Sequence, residues 1–222
     1  MNILEKVQEI NDICLNKRQD GLLELTEKFD KIKLKSFVYQ VPKNIKIDEK
    51  LQESIKIAKD NIYKFHKAEC SKLKAFENDK IETSKGITCW RKFTSIENVG
   101  VYIPNKLFSS ALMNIIPAQI AGCKNIVVCT PPNPSNEILC TLSLLGIKTI
   151  YTIGGAQAIF AMVNGIGEIP KVDKIFGPGN EFVDAAKRIA SKLLQNVYLM
   201  QVGLVEMRWF QQREFYENRN IK

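Results

Sequence analysis

Among 222 residues there is a single histidine, His66. One copy of the chain therefore cannot build a metal site from several imidazoles. Six cysteines occur, Cys14, Cys70, Cys89, Cys123, Cys129 and Cys140, none in a CxxC spacing and none paired with the histidine. A clustered thiolate site is excluded on the same ground, and reduced, mostly buried thiols are expected. No apolar run approaches the roughly 20 residues that a bilayer-crossing helix requires, so no membrane contact is expected. The opening residues MNILEKVQEI mix acidic and apolar positions on a helical period. That is neither a secretory nor an organelle-targeting pattern and leads to an expectation of a cytoplasmic protein. The dinucleotide fingerprint GxGxxG is also missing.

The formal charge of +8 raises the question of nucleic acid. Such binding needs basic residues gathered on one surface. Here they are dispersed and interrupted, as in Lys56-Ile57-Ala58-Lys59-Asp60, the pattern of a solvated face, and no nucleic-acid partner is expected.

What is present is periodicity. Ile3, Val7, Ile10, Ile13 and Cys14, then Leu22, Leu25 and Phe29, recur at helical spacing with a break around Gln19-Asp20-Gly21. Phe37-Val38-Tyr39 reads as a strand, and Asp48 to Ala75 as a helix capped by Asp48. His66 sits beside the apolar stripe of that helix, and no serine, cysteine or carboxylate partner can be placed next to it. Its expected role is a structural hydrogen bond. From about residue 81 short strands appear. Then come Asn125–Cys129, Thr149–Ile153 and Asp173–Phe176 as strands, each followed by a helix, at about 136–145, 156–163 and 180–194. Three such repeats predict βαβ units and a mainly parallel sheet. The organisation expected is a helical amino-terminal region over 1–97, an α/β layer over 98–200 and a divergent tail over 201–222, polar and unlike a continuing strand.

In an open parallel sheet ligands bind where strands end and helices begin. Unpaired N–H groups and the helix dipole favour an anion there. Three strand ends are rich in small residues: Thr130-Pro131-Pro132, Gly154-Gly155-Ala156-Gln157 and Gly177-Pro178-Gly179-Asn180. Glycine admits a phosphate close to the backbone, and Gln157 and Asn180 carry amide donors and acceptors. Ordinary βα turns that happen to use glycine explain the same residues equally well.

Specific strings resolve that balance. Gly100 to Pro104 (GVYIP), Ser109 to Gly122 (SSALMN, then IPAQIAG), Thr130 to Pro132, Gly154 to Ile159 (GGAQAI) and Ile169 to Arg188 (IPKVDKIFGPGNEFVDAAKR) together resemble the amino-terminal half of histidinol dehydrogenase, in order and spacing. Asp20-Gly21-Leu22-Leu23 and Phe29-Asp30 are similar to that family's "GD-x-AL … FD" signature, with Gln19 in place of its glycine, and Phe65-His66 matches its "FH". The resemblance covers roughly residues 5 to 200.

It implies an α/β fold in which a helical amino-terminal region joins an incomplete Rossmann-like parallel sheet, an aldehyde-dehydrogenase-like nucleotide-binding layer. The family oxidises L-histidinol to L-histidine through an aldehyde, with two NAD and a zinc ion, and forms homodimers. By similarity Tyr102, Gln157 and Asn180 occupy its NAD-contacting positions. Two departures stand out. The family's Gly-Gly pair after the GVYIP strand is replaced by a shorter Asn105-Lys106-Leu107-Phe108, which leaves the affinity for NAD open. The segment like "IDMPAGPSEV" that helps hold substrate becomes Tyr198 to Met207, with Leu204-Val205 where Pro-Ser is usual. The family's zinc ligands and its Glu-His base have no counterpart here, so no catalytic or metal-binding residue is assigned. The chain is read as a truncated or degenerate member, inactive alone. An NAD-binding or dimerisation module and one half of a split enzyme are the alternatives.

Overall fold

The computed structural model describes residues 2–193 and 210–218. The altered substrate segment at Tyr198 to Met207 lies outside them. Helix α1 spans Ile3–Asp30 and opens with a reciprocal cap, in which the Glu5 amide donates to Asn2 Oδ1 at 2.9 Å and the Asn2 amide to Glu5 Oε2 at 2.9 Å. It breaks at Arg18, with φ 53° and ψ −128°, one residue before the predicted interruption. The chain returns so closely that a Cβ on Gly21 would lie 2.7 Å from the Ile13 carbonyl oxygen, which explains the glycine.

Strand β1 (Val38–Gln40) and helix α2 (Glu49–Ala75) follow. Asp48 caps α2 as expected, accepting from the Leu51 amide at 3.0 Å. Next come β2 (Ile81–Ser84), β3 (Ile87–Ser95), β4 (Asn98–Tyr102), α3 (Phe108–Ala121), β5 (Asn125–Thr130), α4 (Asn136–Leu144), β6 (Thr149–Thr152), α5 (Gly155–Asn164), β7 (Lys174–Phe176), α6 (Glu181–Leu193) and β8 (Phe210–Asn218). Two of these elements differ from the sequence reading. Helix α3 makes a fourth strand–helix unit. It is buried along most of its length, so its apolar residues carry no polar stripe to mark a period, and Pro117 lies inside it. The tail is no plain frayed end either: β8 pairs antiparallel with β3 from Ile87↔Asn218 to Ser95↔Phe210. Backbone pairing does not depend on an apolar side-chain pattern, so a polar segment can complete a sheet edge.

The main sheet has the order β1-β6-β5-β4-β7, with β6, β5, β4 and β7 parallel and β1 antiparallel at the edge. A second sheet is β2-β3-β8. The chain is thus α/β with a mainly parallel sheet. One face carries α1, α5 and α6 over a core that includes Leu22, Leu25, Phe160 and Ala186; the other carries α2, α3 and α4 over Ile55, Ile115 and Leu142. No described helix is long and apolar enough to cross a membrane.

Candidate functional site

Strands β4, β5 and β6 step outward in one direction, and β7 then returns to the far side of β4. The order reverses between β4 and β7, and the loops leaving their carboxyl ends flank a crevice where open sheets of this kind bind ligands. The loop after β7 is held against β4. Gly177 has φ 115°, and a Cβ there would fall on the Tyr102 carbonyl oxygen, so only glycine fits. Buried Lys187 of α6 reaches back and donates from Nζ to the Gly177 carbonyl oxygen. Desolvation pulls its ammonium below the usual lysine range, opposed by nearby Asp184.

The three sequence-predicted residues converge on this region in different ways. Tyr102, at the end of β4, is 5% exposed and lies beneath the loop. Its hydroxyl accepts from the Gly155 amide at 3.1 Å, and burial raises its pKa, an effect that this hydrogen bond opposes. It meets the site through Gly155. Gln157, 2% exposed, folds its carboxamide back over Gly155, whose φ of +63° and lack of a Cβ make the room. Asn180 is exposed and caps α6, its Oδ1 accepting from the amides of Phe182 and Val183 at 3.1 Å each. Helix α5, by contrast, begins at Gly154 with no side-chain cap. Of the two helix starts, that of α5 has no side-chain cap, and apart from the Gly155 amide, which Tyr102 engages, its first amides remain for an anion.

Gly155, Gln157 and Asn180 open onto a cleft of about 490 Å³ whose opposite wall is α1. Ile10, Ile13, Leu25 and Phe29 make that wall apolar, while Lys6, Lys28, Glu9 and Asp30 bring charge. Motif-based assignment gave α1 no site role, although Phe29-Asp30 was visible as part of a signature. The signal available was that a carboxylate ends a helix beside an apolar stripe. Burial raises the Asp30 pKa.

His66 is elsewhere, on α2 across the sheet, and is 2% exposed. The expectation that no carboxylate lies beside it is corrected: Glu69 Oε2 is 3.2 Å from its Nδ1, one helical turn on. The two atoms are close, but their alignment does not meet hydrogen-bond geometry, and both are otherwise unpartnered. Five of the six thiols are buried and Cys89 is half-buried. Among the described residues no three of His, Cys, Asp and Glu are grouped to hold a metal ion, so these residues do not fit zinc.

This architecture is shared with known proteins. The histidinol dehydrogenase family model matches residues 1–198. The histidinol dehydrogenase of Pasteurella multocida is 47% identical over 193 residues, covering 84% of this chain and 44% of that protein. That of Mannheimia succiniciproducens is 42% identical over 214 residues, covering 93% and 49%. The crystal structure of histidinol dehydrogenase from Elizabethkingia anophelis superposes with a TM-score of 0.74 at 38% identity, covering 90% of this chain and 48% of that one. The chain therefore spans about half the length of the relatives it matches. With the glycine loops, the reversed strand order and the match over residues 1–198 all in register, the chain belongs to the histidinol dehydrogenase family.

Proposed function

We propose that this chain supplies the NAD-binding layer for the oxidation of L-histidinol to L-histidine, and that its residues alone do not turn the substrate over. The observation that carries the reading is the cleft in which Gln157 and Asn180 flank the uncapped start of α5. When bound, NAD accepts a hydride in each of two successive oxidations. The part assigned to this chain is to hold and orient it. The α5 amides and Lys6 and Lys28 offset pyrophosphate charge, and the carboxamides of Gln157 and Asn180 hydrogen-bond the sugars or amide. Tyr102 acts by fixing Gly155. Because Asn180 Oδ1 is engaged as a cap, its Nδ2 is what it offers a ligand.

Alcohol oxidation also needs a group to take the hydroxyl proton and one to hold the developing alkoxide. Among the described residues the only imidazole is His66, on the opposite face of the sheet from the cleft. That favours a second reading in the same terms, a binding half that works with catalytic groups supplied by another segment or another copy. The homodimer implied by the family belongs to this proposal. Purified chain mixed with histidinol, NAD and zinc is expected to give no NADH above background, while calorimetry detects NAD binding below about 1 mM. Turnover would sink the inactivity reading, and absence of binding at millimolar NAD would sink the cofactor reading.

A further inference from the structure

Lys187 is 0% exposed on α6 and points back toward the start of its own helix, where Nζ donates to the Gly177 carbonyl oxygen. An ammonium is badly placed there for stability. It is withdrawn from water and lies toward the positive end of the helix dipole, with Asp184 of the first turn offsetting part of the cost. An apolar side chain of similar volume in such a place is often neutral or stabilising, so packing alone does not account for a charge here.

What the ammonium holds is a peptide link with a single polar handle. Pro178 has no N–H, so the Gly177-Pro178 link can be fastened only through the Gly177 carbonyl. Gly177 is itself buried against the Tyr102 carbonyl, and a Cβ on Gly179 would run into the Val183 side chain of α6. Asn180 follows directly, capping α6 and lining the cleft. Between the Lys187 bond and Asn180 there is thus only a proline of fixed φ and a glycine packed on the helix. We infer that Lys187 is a positioning residue for the cofactor, which sets Asn180 in the cleft by fastening the Gly177 carbonyl. This rests on the cofactor reading above. The role needs the donor and not the bulk of the side chain, and that separates it from a packing role.

The test is calorimetric titration of NAD into the full chain and into Lys187→Met, Lys187→Arg and Ile115→Val, with circular dichroism to show that each variant is folded. Methionine matches the stem of lysine without its donor, and arginine keeps a cationic donor. Ile115→Val trims the core on the opposite face of the sheet from α6. Lys187→Met is expected to bind NAD at least about tenfold more weakly at unchanged stoichiometry. Lys187→Arg is expected to stay within about threefold of the unaltered chain, and Ile115→Val to bind like it. Hydrogen exchange of the amides of residues 179–183 should be at least about tenfold faster in Lys187→Met, with α4 unchanged. A folded Lys187→Met chain with undiminished NAD affinity overturns the inference while the cofactor reading stands. So does an arginine variant as weak as the methionine one, or an equal loss of affinity in Ile115→Val. A Lys187→Met chain that does not fold makes Lys187 a residue of the fold alone and overturns the inference as well. If the unaltered chain binds no NAD, the cofactor reading falls and this inference with it.

Discussion

Arg18 and Lys106 hold backbone angles that a side chain disfavours. Arg18 has φ 53° and ψ −128° at the break in α1, and Lys106 has φ 69° in the loop where the family usually has two glycines. Such positions cost on the order of 1 kcal/mol or more for a residue with a Cβ. Lys106→Gly is therefore expected to stabilise the chain by up to about 1 kcal/mol in urea unfolding, the relief exceeding the added freedom of the unfolded chain. Arg18→Gly gains the same relief but gives up the bond from Arg18 Nη2 to the Gly165 carbonyl at 3.0 Å, so a smaller gain is expected there. Gly177→Ala runs the other way. Its Cβ collides with the Tyr102 backbone, and a loss of at least about 2 kcal/mol is expected, with NAD binding weakened in parallel. The sequence singled out Gly177, Gln157 and Asn180 because a motif surrounds each of them. It could not show that Gln157 folds over Gly155 or that Tyr102 sits under the loop, since those depend on side-chain directions set by packing.

At the scale of elements, Asn180 has two duties that mutation can separate. It caps α6 with Oδ1, and it faces the cleft. Asn180→Ser keeps a capping oxygen and should hold stability to within about 0.5 kcal/mol while NAD affinity falls. Asn180→Ala should lose about 1 kcal/mol of stability as well, read by thermal or urea unfolding. If the serine variant binds NAD like the parent, Asn180 serves the helix alone. The elements themselves were largely legible. Asp48 before an apolar stripe fixed the start of α2, and Gly154-Gly155 and Gly177-Pro178-Gly179 marked two strand–helix junctions. Where one face of an element is polar, the period shows. Helix α3 lacks that contrast, and β8 is held by pairing with a strand more than a hundred residues earlier, so neither could be read locally.

For the molecule as a whole, buried ionisable groups set the response to alkali. Desolvation pushes the Cys14 thiol up to about 12 and Cys123 to about 11, and raises Cys129 and Cys140. The unfolded chain ionises these thiols from about pH 9 while the folded chain keeps them protonated, so stability is complete below that pH and falls as pH rises through the folded values. Lys187 acts oppositely. Its folded pKa lies below 10.5, so the unfolded chain binds the extra proton and stability rises with pH between the two values. Four thiols outweigh one ammonium. Net loss should begin near pH 9, at about 1.4 kcal/mol per pH unit for each thiol ionised only on unfolding. The same burial predicts that a disulfide-exchange reagent at pH 8 labels Cys89 first in the native chain, the remaining five only after denaturant is added.

The cleft is lined from Lys6 to Phe182, so its two walls come from segments far apart along the chain. Bringing them together closes a long loop, so the site depends on α1 packing against α5 and α6. A ligand seated there acts as a tie between α1 and α6, binding the native chain and having nothing to grip in the unfolded one. Melting followed against nucleotide concentration should then rise without an early plateau, by about 2.7 kcal/mol of added stability at a hundred times the dissociation constant.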